Sequence, residues 1–159
     1  PASLWMAPNL LLQKLPGPEF TLTVKLRANQ LRKNERAGLT VFGLDYAVLE
    51  ASLTSTGLVL TYAVCQDAHR GHTESLLHKI LLTTDTVYLR MNFKDGTCQF
   101  AWAVDGVCFQ AFSQTFQARE GRWIGAKVGL FSVSTRQTGL KGYADFDWFR
   151  FSTYRAEKE

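Results

Sequence analysis

The chain has 159 residues, of which 46% are hydrophobic and 20% charged. That is enough apolar material for one sizeable core and too much for a disordered chain. The formal charge of +4 comes from Lys and Arg scattered along the sequence, with only Arg32-Lys33 adjacent, so no nucleic-acid partner is expected. No run of about eighteen apolar residues occurs, which excludes a membrane-spanning helix. The opening Pro1-Ala2-Ser3-Leu4-Trp5-Met6 has neither an initiator Met nor the basic and apolar regions of a signal peptide. It reads as a processed or excised piece, and the compartment is not legible.

In chain order, Phe20-Thr21-Leu22-Thr23-Val24-Lys25-Leu26 alternates apolar and polar residues, the period of a half-buried strand. Further strands are expected over 37–44, 47–52 and 58–65. The segment 74–82 has a loosely helical apolar spacing but reads equally well as a short strand. Val87-Tyr88-Leu89-Arg90-Met91-Asn92-Phe93 alternates again, and Asp95-Gly96 supplies left-handed turn chemistry before Cys98-Gln99-Phe100-Ala101-Trp102-Ala103-Val104. A second turn, Asp105-Gly106, follows about ten residues later. Together they predict a three-stranded antiparallel meander over 87–112. Strands over 127–133 and 143–151 complete the set, and the polar 155–159 is expected to fray.

Many short strands without alternating helices make an all-β, two-sheet antiparallel β-sandwich of jelly-roll type, one domain over 1–159. Its core is expected to take Phe20, Leu22, Val24, Leu26, Phe100, Trp102, Val104, Phe146 and Trp148. Cys65, Cys98 and Cys108 form no Cys-x-x-Cys pair and are odd in number, so free thiols are expected.

A glycosidase pair needs two carboxylates facing one sugar bond about 5–9.5 Å apart, and the sequence offers no convincing pair. Asp95 and Asp105 are accounted for by turns, and Glu35, Glu120, Asp67, Glu74 and Asp85 fall in or beside polar loops, where solvation explains them. Asp45, Glu50, Asp145 and Asp147 lie in apolar, strand-like stretches, where a carboxylate needs a partner. In Ala144-Asp145-Phe146-Asp147-Trp148 the two Asp share one strand face and the two aromatics the other. Three readings stay open for the Asp pair: a polar outer face, contributors to a structural calcium site, or sugar contacts. Calcium needs about six to eight oxygens, and these residues supply two carboxylates. His69 and His72 have a zinc-compatible spacing but no Cys beside them, which favours a solvated loop, and His78 stands alone. No Gly-x-Ser-x-Gly or phosphate-binding Gly-rich loop occurs. Four Trp are present, and an exposed ring on a sandwich is what sugar stacking requires. Trp123 is the candidate, because it follows the polar turn Ala118-Arg119-Glu120-Gly121-Arg122 at a strand entrance.

Leu11-Leu12-Gln13-Lys14, Gly17-Pro18-Glu19-Phe20-Thr21, Glu35-Arg36-Ala37-Gly38-Leu39, Gly43-Leu44-Asp45-Tyr46-Ala47, Gly125-Ala126-Lys127-Val128-Gly129-Leu130-Phe131 and Ala144-Asp145-Phe146-Asp147-Trp148-Phe149-Arg150-Phe151 follow one another in a familiar order. This series resembles the concanavalin A-like C-terminal β-sandwich of family-43 β-xylosidases and arabinofuranosidases, also classed as carbohydrate-binding module family 91. The resemblance implies an accessory, non-catalytic domain of a xylan-degrading glycoside hydrolase, packed against an upstream five-bladed propeller that holds the catalytic carboxylates. It implies xylan or xylo-oligosaccharide as the partner sugar and oligomer contacts in some members, and a cytoplasmic or periplasmic place in a bacterium; no cofactor is expected, a structural calcium at Asp145 and Asp147 staying open from the residues themselves. In that family a loop of the sandwich carries an aromatic residue that helps close the sugar pocket. Trp123 matches its place, although the usual residue there is Phe. The chain also lacks the Trp-rich strand that usually precedes the segment at Asn9, where Trp5 would stand in. The alternative reading is a stand-alone lectin-like binding module.

Overall fold

Alternation becomes pleated strand throughout the computed structural model, which describes residues 3–121, 125–135 and 139–153. The strands are β1 (Leu11–Lys14), β2 (Glu19–Arg27), β3 (Glu35–Phe42), β4 (Tyr46–Thr54), β5 (Gly57–Cys65), β6 (Ser75–Leu81), β7 (Thr86–Lys94), β8 (Thr97–Ala103), β9 (Gln110–Gln117), β10 (Lys127–Ser134) and β11 (Asp145–Ser152). Two 3-10 turns, Leu4–Met6 and Ala68–Arg70, are the only helical pieces among the described residues. One sheet runs β1-β10-β3-β4-β5-β6 and the other β11-β2-β7-β8-β9, with antiparallel pairing along both. The chain crosses between sheets after β1, β2, β6, β9 and β10, which gives the sandwich connectivity expected of alternating strands.

Between the sheets lies the main core, with Phe20, Leu22, Val24 and Leu26 from β2 against Leu39, Leu49, Tyr62, Met91 and Phe100. Each such side chain contributes about 1.5–3 kcal/mol by leaving water. A second, smaller cluster forms on the outer face of the six-stranded sheet, where Tyr46, Val48, Ala63, Cys65, Phe131 and Val133 are covered by Leu4 and Trp5. Trp5 stacks on Phe42 at 5.6 Å, so it covers this face rather than replacing a sheet edge. The three cysteines are free, with Cys108 exposed.

The meander is β7-β8-β9, and at Asp95-Gly96 both residues have positive φ, 46° and 87°, as the tight hairpin requires. The second turn differs from expectation. Instead of a two-residue hairpin, residues 104–109 form a longer loop in which the Asp105 carboxylate accepts from the backbone N–H of Val107 and Cys108. Val104 therefore leaves the strand and is 43% exposed rather than in the core. The ambiguous segment 74–82 forms a strand, β6. Trp102 is half-buried and packs against the core as expected, opposite Leu89.

Three strands carry irregularities. In β11 the pairing passes from Phe146↔Leu26 directly to Trp148↔Lys25, leaving Asp147 as an extra residue. Phe146, Phe149 and Phe151 pack on the core, while Trp148 turns outward beside Tyr88. The expected placement of Trp148 in the core is corrected by that one-residue shift. In β6 the register skips Leu77, and in β9 residues 112–114 stand opposite Phe100 alone.

Gly38 pairs with Glu50 across β3 and β4. A Cβ at this position would fall 2.2 Å from the Leu49 carbonyl oxygen and 2.6 Å from the Glu50 Cα, both backbone. Gly38→Ala is expected to force the strands apart and cost about 1–3 kcal/mol, read as a lowered Tm. An unchanged Tm would show that β3 and β4 can separate there freely.

Candidate functional site

The loop that leads to Trp123 is rooted by charge. Arg119 follows the end of β9, and its guanidinium donates to both oxygens of Asp45, at 3.0 and 3.1 Å, and reaches Asp67 at 3.4 Å. Asp45 is buried and also accepts from the Asp67 backbone N–H at 2.8 Å. Leu44 N–H donates to the Glu120 carbonyl and Ala68 N–H to the Leu44 carbonyl. Only glycine fits at position 43, because a Cβ would lie 2.0 Å from the Arg119 carbonyl oxygen. Three segments, 43–45, 67–68 and 119–120, are thus locked together at one end of the sandwich. A cleft of about 460 Å³ lined by Leu15, Phe93, Ala118, Glu120 and Ala126 flanks this root. Trp123 itself lies outside the described residues, as does the tail 155–159.

A second constellation sits on the outer face of the six-stranded sheet. Arg36 donates to both Glu50 oxygens at 3.1 Å and to the two oxygens of Glu74 at 2.7 and 3.0 Å. Tyr46 Oη donates to Glu74 at 2.7 Å and accepts from Leu4 N–H at 3.1 Å. Burial pushes the Glu50 carboxyl up to about 7, with Arg36 offsetting part of that rise and Glu74 adding to it. Burial also disfavours the Arg36 charge, but the carboxylates of Glu50 and Glu74 more than compensate and keep it protonated. Two carboxylates do meet here, yet both spend their oxygens on one guanidinium, with Ser3 and Leu4 held beside them through Tyr46. The arrangement holds structure together and offers no sugar-facing acid and base.

Two carboxylates assigned above to solvated loops are structural. Glu35 is only 3% exposed and accepts from Arg32 N–H at 2.8 Å and from Gly142 N–H at 2.9 and 3.0 Å, clamping the segment before β11. Glu74 belongs to the Arg36 cluster. Glu35 combines a local partner, Arg32 N–H, with the distant Gly142, and Glu74 takes its partners Arg36 and Tyr46 from distant strands, so neither cluster is contained in one stretch of sequence.

Asp145 and Asp147 are not a matched pair. Asp145 is exposed opposite Arg27, while the bulged Asp147 is gripped by Lys25 at 3.1 Å and Arg27 at 2.8 Å. Hydrogen bonds from Arg27 and then Lys25 lower its pKa. Among the described residues no group of three or more His, Cys, Asp or Glu is placed to hold a metal ion. His69 meets the edge of Trp5, His72 is exposed, and His78 lies against Tyr62 and Phe112.

The outer face of the five-stranded sheet is ordered in cross-strand rows. Ser152, Thr21, Asn92, Gln99 and Thr115 are successive partners across β11-β2-β7-β8-β9, forming an uncharged polar row. The next row is Arg150, Thr23, Arg90, Ala101 and Ala111, and the third is Trp148, Lys25, Tyr88 and Ala103. The 104–109 loop bends over this face, with Gly106 against Tyr88 and Phe109 under the Arg90 guanidinium at 3.5 Å. A groove of about 910 Å³ follows the polar row.

The model of the β-xylosidase C-terminal concanavalin A-like domain matches residues 1–152. The chain belongs to this family. A β-xylosidase of Formosa agariphila is 25% identical over 154 residues, which cover 94% of this chain and 24% of that protein. Among solved structures, a bifunctional GH43-CE protein of Bacteroides eggerthii superposes with a TM-score of 0.84 at 22% identity, over 97% of this chain and 20% of the other. The xylan β-1,4-xylosidase of Bacillus halodurans gives 0.75 at 22% identity, over 89% and 29%. The family sandwich therefore spans about a quarter of the length of the β-xylosidase it matches, 24%. It is not by itself the glycoside hydrolase, whose catalytic portion lies in the part that it does not cover.

Proposed function

We propose that this domain is the accessory sandwich of a family-43-type, xylan-degrading glycoside hydrolase, and that its 118–126 loop reaches the catalytic propeller and helps shape the sugar pocket. The supporting observation is the rooting of that loop by Arg119 on Asp45 and Asp67, at the end of a domain whose family is named for the β-xylosidase C-terminus. A loop fixed at its base presents its tip at a constant distance from the sheets, which a pocket wall needs. Trp123 is the ring offered at that tip to the sugar or to the propeller surface.

Trp123→Ala, made in an enzyme that contains both portions, is expected to leave Tm nearly unchanged. It should lower kcat/KM on xylobiose by about five-fold, the equivalent of one aromatic stacking contact of about 1 kcal/mol. A Tm drop corresponding to about 3–5 kcal/mol with unaltered kinetics would instead make Trp123 a buried core ring and overturn the assignment.

A further inference from the structure

From the outer face of the five-stranded sheet we infer a second glycan site, separate from the 118–126 loop, that binds an extended polysaccharide bearing uronic-acid carboxylates through Arg90 and Arg150. The inference rests on the proposed xylan-handling role only for the choice of polymer backbone.

The two guanidiniums flank Thr23 in one cross-strand row, which puts their Cα atoms two strand spacings, roughly 9.5 Å, apart. Each is held flat on an aromatic ring, Arg90 over Phe109 at 3.5 Å and Arg150 over Trp148 at 4.5 Å. Arg90 also donates from Nε to Thr23 Oγ1 at 3.0 Å. The Arg90 guanidinium, stacked and hydrogen-bonded, has given up rotamer freedom, Arg150 is restrained by stacking alone, and the remaining N–H groups of each form a fork that fits a carboxylate.

The other cations of this face are engaged by carboxylates, Lys25 and Arg27 sharing Asp147 and Lys94 meeting Glu19. Among the described residues no carboxylate lies within ion-pair distance of Arg90 or Arg150. Among the described residues, the two stacked guanidiniums thus have no anionic partner and are open to an anion from outside.

The surroundings select a sugar over a bare anion. On one side of the arginine row runs the polar row from Ser152 to Thr115, which lines the groove and offers hydroxyl and amide partners for sugar hydroxyls. On the other side Trp148 and Tyr88 form a half-buried aromatic pair with centroids 5.9 Å apart, Trp148 carrying the Arg150 guanidinium and Tyr88 lying against Gly106 of the 104–109 loop. Hydroxyl partners and carboxylate forks lie side by side on one sheet face, as an acidic heteroxylan would need.

The test is affinity electrophoresis and calorimetry of the 159-residue chain with glucuronoxylan, the same polymer after reduction of its carboxyls to alcohols, and double-stranded DNA. Binding to glucuronoxylan is expected to weaken about ten-fold or more on carboxyl reduction, and by a similar factor in Arg150→Gln and in Arg90→Gln. Lys79→Gln, on the other sheet, should bind as the parent does. Equal retention on the reduced polymer, no retention on glucuronoxylan at low salt, or equally tight binding to DNA would each overturn the inference. The carboxyl-reduced polymer makes the comparison without any variant, so a misfolded Arg90→Gln protein would not rescue the idea. Because the loop carrying Trp123 plays no part here, this result and the kinetic result for Trp123→Ala can fail independently.

Discussion

Arg36→Met is expected to destabilise the domain by about 3–5 kcal/mol at pH 8, because it leaves two carboxylates facing each other beneath the N-terminal segment with no cation between them. Glu50 is 5% exposed and Glu74 half-buried, so water cannot replace the N–H donors that Arg36 Nη1 and Nη2 give them. The loss should shrink toward pH 5, where Glu50 can take up a proton and end the repulsion. Urea unfolding at both pH values measures it, and a cost under about 1 kcal/mol at pH 8 would mean that the cluster is solvated like a surface ion pair. Hydrogen exchange provides a second readout. Tyr46 holds both Glu74 and the Leu4 N–H, so protection around Leu4 should fall along with global stability.

The second large effect is a pH dependence carried by Glu50. Its carboxyl sits at about 7 in the folded domain against an ordinary 4.5, with burial as the main cause. The native state therefore holds this proton more tightly than the unfolded chain does. By linkage its contribution is fully present below about pH 4.5, declines as pH rises, and is lost above about 7. The decline amounts to about 3 kcal/mol. Acidic groups with depressed values, such as Asp147 beside Arg27 and Lys25, act in the opposite sense at lower pH. The informative quantity is thus the difference between the parent and Glu50→Gln. That difference should change by about 3 kcal/mol between pH 4.5 and 8, with the variant flatter over this window. Parallel stability curves would show that Glu50 ionises normally.

How far these groups could be read in advance depends on distance along the chain. Strand periodicity and the Asp95-Gly96 turn are local, and both carried through to β2, β7 and β8. The β11 bulge left a trace that alternation alone misreads: Phe146 and Trp148 share one parity and Phe149 and Phe151 the other, and a strand can turn Phe146, Phe149 and Phe151 to one side only with an extra residue. Asp147 is that residue. The Asp105-Gly106 turn carried the right chemistry but not the right length, since the Asp105 carboxylate closes a wider loop. The Arg36, Glu50 and Glu74 cluster depends on the pairing of β3, β4 and β5 and on where β6 begins, so no window of sequence contains it. The Arg119 anchor has the same character, bringing 45, 67 and 119 together from three loops. The family resemblance pointed to Trp123 and to the accessory role, neither of which periodicity can supply.

The four outermost strands share one property that bears on the fate of the protein at high concentration. Each sheet ends in two rows of backbone N–H and C=O groups able to template a foreign strand. Here β1 is only four residues long, and β6, β9 and β11 are each broken by unpaired residues, at Leu77, at 112–114 and at Asp147. A flat, continuous edge is what amyloid-like stacking recruits, and none of the four presents one. Such a sandwich can display exposed leucines at positions 76 and 81 on its rim and still resist sheet-to-sheet polymerisation. Straightening β11 by deleting Asp147 would remove that protection at one edge, together with the Lys25 and Arg27 ion pairs, while leaving Trp148 outward opposite Lys25.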